Sequence, residues 1–191
     1  EASRARISVD KLVGVVWSCS ELDTIPAGKA AIGYTCSSFI NPGANYKVFD
    51  DILKHVYDAD NGTGARKEVG HQQNYKVGVL MGIMTVEAIT KATEKYGNKP
   101  MSGKEVRWGI ENLDFDDARL KELGIDGFIP TFKISCEDHE GGAPIKFQRW
   151  NGNAFEPASD WISTDQSIVR PLIEASAASY AKEKGITSSC N

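Results

Sequence analysis

The run Leu12-Val-Gly-Val-Val-Trp17 constrains this chain more than any other stretch. Six uncharged residues rich in β-branched Val suit a strand buried on both faces, and such a strand needs helices to cover it. Helices are legible downstream. Val48, Phe49, Ile52, Leu53, Val56 and Tyr57 recur at helical spacing. A longer helix is expected from near Tyr75 to Tyr96, with Val79, Ile83 and Val86 on its apolar face and Gly97 as its stop. Ser102-Gly-Lys-Glu105 is a capping box ahead of Val106, Ile110 and Leu113, and Asp116 or Asp117 can cap a short helix ending at Gly124. A last helix is expected from about Val169 to Lys184, with Pro171 in its first turn and Gly185 past its end. Weaker strands are expected at Gly33 to Phe39 and Thr131 to Ser135. Ile145 to Trp150 and Ala154 to Ala158 flank the hairpin signal Asn151-Gly152. The mixture reads as α/β, with too few strong strands for a complete doubly wound sheet.

At 191 residues, 41% apolar and 25% charged, the chain can bury a core without metal or disulfide staples. Its net charge of -4 and lack of a basic block give no footprint for nucleic acid or an anionic membrane surface. The apolar stretch Val77 to Met84 is interrupted by Gly78 and Gly82 and is far shorter than a membrane span. The opening Glu-Ala-Ser-Arg-Ala-Arg has no apolar signal-peptide core, so either the protein is cytosolic or its signal lies outside this sequence. Cys19, Cys36, Cys136 and Cys190 show no CxxC spacing, and ordinary unpaired thiols are the favoured reading; in an oxidising compartment Cys136 and Cys190 can pair.

No motif reads as catalytic. Gly97 to Glu105 fails as a phosphate loop, because five residues separate its glycines and Glu105 stands where a hydroxyl would meet Mg²⁺. Cys136-Glu-Asp-His139-Glu-Gly-Gly142 gathers reactive side chains, but one His between a strand and a hairpin reads as a turn rather than a metal site. His55 falls on the polar side of its helix, and Asn61-Gly62-Thr63 is a bare glycosylation match. The expectation is no enzyme, no cofactor and no metal. Trp17 to Asp23 differs, because ligands in open α/β sheets bind beyond the carboxyl ends of strands. There Glu21 or Asp23 can meet a cation, Ser18 and Ser20 can donate to a carboxylate, and Trp17 can cover an apolar ligand. A solvated turn capped by Ser20 or Asp23 explains the same residues equally well.

Several stretches together resemble one family. They are Lys11 to Ser18, Ile25-Pro-Ala-Gly28, Gly33-Tyr34, Thr85 to Ile89, Val106 to Leu113, Ser135 to Gly141, Gln148 to Gly152, Ser159-Asp-Trp161 and Val169 to Ala177. In order and spacing this resembles the extracellular solute-binding proteins of branched-chain amino acid type ABC transporters, within the type I periplasmic-binding fold. The resemblance implies two α/β lobes on a three-strand hinge, a periplasmic location and delivery of ligand to a membrane permease. It also implies that this chain matches only a C-terminal half: residues 1–33 in lobe two, 34–142 in lobe one with its hinge crossings, and 143–191 back in lobe two. The family's ligand-facing loop maps to Ser18, Ser20 and Glu21. Cys19 stands where relatives often carry a smaller residue, and a further contact maps near Tyr75.

The leading expectation is a binding protein for a small carboxylate-bearing ligand, an amino acid or an aromatic acid, contacted by Trp17, Ser18, Ser20, Glu21 and Tyr75. Its other expected partners are the permease and either the missing half or a second copy. The rivals are a cysteine-dependent hydrolase or amidase using Cys136 or Cys19, and a ligand-sensing or assembly domain of a regulator.

Overall fold

The computed structural model describes residues 4–142, 144–187 and 190; the chain's first three residues and the start of the expected third segment at Ala143 lie outside it. Strand β1 (Val13–Gly14) runs parallel to β2 (Thr35–Ser38), and helix α1 (Glu21–Ala27) forms the crossover between them. Strand β5 (Lys146–Trp150) pairs antiparallel with β2, and β6 (Phe155–Pro157) pairs with β5, giving the order β1-β2-β5-β6. The β5–β6 turn forms where Asn151-Gly152 predicts it. Asn151 Oδ1 accepts from the N–H groups of Asn153 and Ala154 at 2.8 and 2.9 Å, which fixes the loop.

Between β2 and β5 the chain builds a second unit. Helix α2 (Lys47–Ile52) continues through a wider turn to Tyr57, followed by α3 (Gln73–Tyr96), α4 (Gly103–Ile110) and α5 (Asp117–Glu122). A two-stranded ladder, β3 (Asp114–Phe115) against β4 (Phe132–Lys133), closes it; the sequence marks only β4. Ile40, Phe49, Leu80, Leu113, Phe115 and Phe128 are among its buried residues, while Cys19, Ala31, Cys36, Trp150 and Phe155 form a separate, smaller core on the four-stranded sheet.

The capping box is present in full: Ser102 Oγ accepts from the Glu105 N–H, and Glu105 accepts from the Ser102 N–H at 2.8 Å. Asp116 caps α5 by accepting from the Arg119 N–H at 2.7 Å. Gly109 of α4 lies against the α3 backbone, where an added Cβ would sit 2.0 Å from the Ala88 carbonyl oxygen. Arg119 donates two hydrogen bonds to the buried carboxylate of Glu87, at 2.6 and 2.7 Å, tying α5 to α3.

Three expectations change. The run Leu12–Trp17 is not a strand buried on both faces: only Val13 and Gly14 pair, Val16 to Ser18 form a 3-10 turn, and Val13, Val15 and Trp17 are 64%, 62% and 65% exposed. Among the described residues β1 pairs only with β2, at the edge of the sheet, and nothing described covers its apolar side chains. The buried face of α3 carries Gln73, Lys76, Val77, Leu80, Glu87, Ala88 and Ala92, whereas Val86 is exposed. A glutamine, a lysine and a glutamate on that face break the apolar periodicity. Helix α6 (Gln166–Lys184) starts earlier than expected, with Asp165 accepting from the Ser167 N–H at 3.0 Å, so Pro171 falls beyond the first turn. No residue of α6 is buried, and Ile168, Leu172 and Tyr180 project into solvent.

Gly109→Ala is expected to destabilise the protein by about 1–3 kcal/mol, since backbone must move to admit the methyl group. Arg119→Met, which strands the Glu87 carboxylate in the core, is expected to cost roughly 3 kcal/mol. Urea unfolding of each variant measures both losses.

Candidate functional site

The strand-to-helix turn after β1 is a fixed structure. Ser18 Oγ donates to the Val15 carbonyl and accepts from the Tyr34 hydroxyl, both at 2.7 Å. That hydroxyl fits because residue 14 is glycine; a Cβ there would lie 1.8 Å from it. Cys19 is joined to Cys36 of β2 by a disulfide, with Cα atoms 5.7 Å apart. Ser20 is buried and caps α1, accepting from the Leu22 N–H at 3.2 Å, so the helix-cap reading holds for Ser20. Glu21, the first residue of α1, is thereby aimed at the start of α3.

Glu21 is half-buried, and loss of hydration pushes its carboxyl pKa up. Its own N–H, the Lys76 ammonium, the Gln73 N–H and His71 oppose that rise without cancelling it. The Oε2 atom of Glu21 has no hydrogen-bond partner. Across from it, Gln73 and Lys76 on the first turn of α3 are each 1% exposed. Gln73 Nε2 donates to Ser38 Oγ at 3.0 Å, which leaves Gln73 Oε1 unpartnered. Burial pushes the Lys76 pKa down, the Glu21 charge partly restores it, and no acidic oxygen lies within 4.0 Å of its ammonium among the described residues.

The expected ligand residues thus have different settings. Glu21 reaches the α3 start, Ser20 serves as its helix cap, Ser18 is engaged with Tyr34, and Trp17 is exposed on the adjoining turn. Tyr75 packs its ring beside Phe49, with centroids 6.3 Å apart, at the margin of the larger core. Sequence reading missed Gln73 and Lys76 because both belong to a helix read through its apolar residues alone. The available signal was a lysine four positions before Leu80, and so in register with it on a face that has to be buried.

Hollows elsewhere in the structure differ in lining, and two of them carry charged side chains: Asp117, Lys121 and Asp126 line one, and Lys91, Glu94, Glu111 and Lys133 another. A cavity of about 300 Å³ between Phe39, Leu80, Met84, Phe132 and Ile134 is walled mainly by apolar groups, and a broader concavity of about 640 Å³ lies between α5 and Trp161. The Cys136–Gly142 segment is the expected turn: Asp138 Oδ1 accepts from the N–H groups of Glu140 and Gly141 at 3.0 and 3.2 Å. Cys136 is bonded to Cys190, so unpaired thiols are not what the structure contains, and neither Cys19 nor Cys136 presents a thiolate for a hydrolase.

Two solved structures are similar to this chain. A crystal structure described as an ABC transporter permease from the Pseudomonas fluorescens group superposes with a TM-score of 0.90 at 37% identity, over 100% of this chain and 46% of that one. A branched-chain amino acid ABC transporter from Thermus thermophilus, with bound valine, superposes with a TM-score of 0.64 at 19% identity, over 86% of this chain and 42% of that one. The fold is a partial type I periplasmic-binding fold. This chain spans less than half the length of either structure. No family model matches it, and neither does any curated protein. Among the described residues no helix is long and apolar enough to cross a membrane.

The raised Glu21 pKa has a consequence for stability. A carboxyl whose folded pKa lies above its unfolded value near 4.5 favours the fold while protonated, and that contribution is lost as pH rises through the folded pKa. Glu21→Gln is therefore expected to raise the melting temperature at pH 7 while leaving it nearly unchanged at pH 4, in differential scanning calorimetry at both values.

Proposed function

We propose that this chain is part of the solute-binding component of an ABC importer, and that it takes a small carboxylate-bearing molecule, an amino acid or an aromatic acid. The observation that carries this reading is the meeting of Glu21, at the strand-to-helix turn of one unit, with the buried Gln73 and Lys76, at the start of a helix in the other unit. Unpartnered buried polar atoms between two separately cored units are what a closing cleft needs to hold a polar solute. Both similar structures are described as ABC transporter proteins, one with valine bound, which supports the same reading.

In this reading residues 1–33 and 143–191 belong to one lobe and 34–142 to the other, with the ligand meeting Glu21, Ser20, Ser18 and Trp17 from the first and Tyr75 from the second. The two disulfides fit an oxidising compartment such as the periplasm. The exposed apolar groups of β1, of α6 and of α3 at Met81, Val86 and Ile89 are covered by a counterpart of the part of the relatives that this chain does not match, or by a second copy. The membrane permease receives the ligand. No catalytic step is part of this reading.

A thermal-shift panel of aliphatic amino acids, aromatic acids and short amides tests it. A ligand at about 100 times its dissociation constant adds roughly 2.7 kcal/mol, a rise of several degrees. A selective rise with one chemical class is expected. A cooperative melt that no compound moves would contradict the reading.

A further inference from the structure

The two disulfides sit in opposite surroundings. Cys19 and Cys36 are 1% and 0% exposed and belong to the smaller core, where their sulfurs are shut off from a thiol in solution. Cys136 and Cys190 are only half-buried. A cation also stands beside this second pair. Arg107 Nη2 donates to Cys136 Sγ at 3.7 Å, and Glu111 accepts from Arg107 Nε at 2.6 Å, which orients the guanidinium. Positive charge at one sulfur stabilises the thiolate that leaves when the bond is cut. Exchange at this bond is therefore directed: attack falls on Cys190, and Cys136 departs.

The turn that carries Cys136 is also where α6 is anchored. Arg170 of α6 pairs with Asp138 at 3.3 Å and donates to the Glu137 carbonyl, and Cys190 follows the end of the helix. No residue of α6 is buried, and Ile168, Leu172 and Tyr180, spaced by four and eight positions along one face, are exposed. Without the Cys136–Cys190 bond the anchor at this turn is an ion pair with water access, which holds little by itself. The turn lies between β4 of one unit and β5 of the other, so the bond fixes α6 to the joint between the units.

We propose that the Cys136–Cys190 bond is a thiol–disulfide exchange site, cut by a dithiol ahead of Cys19–Cys36, and that its reduction frees helix α6 from the joint between the units. The inference does not depend on the solute-binding reading. A thiolate of the dithiol attacks Cys190 Sγ, the bond to Cys136 breaks, and Cys136 Sγ leaves with the electron pair beside Arg107. The second thiol of the reductant then closes on the first, giving the reductant's own disulfide and releasing Cys190. Two electrons and two protons pass from the dithiol to the protein, and an oxidant that accepts them restores the bond.

The test treats the intact oxidised protein with dithiothreitol under native conditions, quenches with iodoacetamide at intervals and maps the labelled cysteines by mass spectrometry. Cys136 and Cys190 should be labelled roughly 100-fold faster than Cys19 and Cys36. Arg107→Gln should slow that reduction by about 3- to 10-fold, and Arg107→Lys should retain most of the rate. Hydrogen exchange on the same samples should show the α6 amides exchanging about 10-fold faster once the bond is cut, with α3 and α4 unchanged, and the Cys136→Ser, Cys190→Ser double variant should match the reduced protein. Equal reduction rates for the two disulfides overturn the assignment of the exchange site. An unchanged rate in Arg107→Gln overturns the directed attack, and α6 exchange that reduction does not alter overturns the release of the helix.

Discussion

The buried ammonium of Lys76, facing the carboxylate of Glu21 across a gap wider than an ion pair, is the constraint around which the rest is arranged. A charge removed from water without a contact partner is unfavourable, and it persists only where the surroundings hold it in place. Here the surroundings are specific. Ser20 caps α1 and so directs Glu21, the Cys19–Cys36 bond ties the preceding turn to β2, and Ser38 on β2 receives Gln73. One helix start from each unit thus meets the other through polar groups, while the apolar cores stay apart.

The region that joins the units is fixed in a second place. Cys136 is bonded to Cys190, closing a loop with a sequence separation of 54, for which chain entropy gives about 4 kcal/mol of stabilisation. Arg170 of α6 pairs with Asp138 at 3.3 Å and donates to the Glu137 carbonyl in the same turn. Helix α6 is therefore held by a bond and an ion pair rather than by a buried apolar face. The same holds at β1, where an apolar edge is left open.

Much of this was legible in the sequence. The capping box, the Asn151 turn, the long helix up to Gly97 and the Asp138 turn all depend on local hydrogen bonds, which short-range patterns encode. Glu21 was legible because strand ends in α/β sheets place the next residues at a ligand edge. What failed depended on partners distant in sequence. The burial of Leu12–Trp17 needs a second layer that no local pattern reveals, β3 is two residues long and visible only through β4, and the pairing of Cys19 with Cys36 depends on the 3-10 turn after β1 that brings Cys19 beside β2. Lys76 and Glu87 hid the true inner face of α3, since a charged residue is expected outside unless its partner is known.

The electrostatic link between the two units can be measured without any ligand, by a double-mutant cycle of Glu21→Gln and Lys76→Met in urea unfolding at pH 7. Removing the Glu21 charge should stabilise the Lys76→Met protein more than it stabilises wild type, by about 1 kcal/mol, because in wild type the same change also removes the one attraction that Lys76 receives. Equal gains in both backgrounds, to within about 0.3 kcal/mol, would contradict the account, because the two residues would then not sense each other in the folded protein.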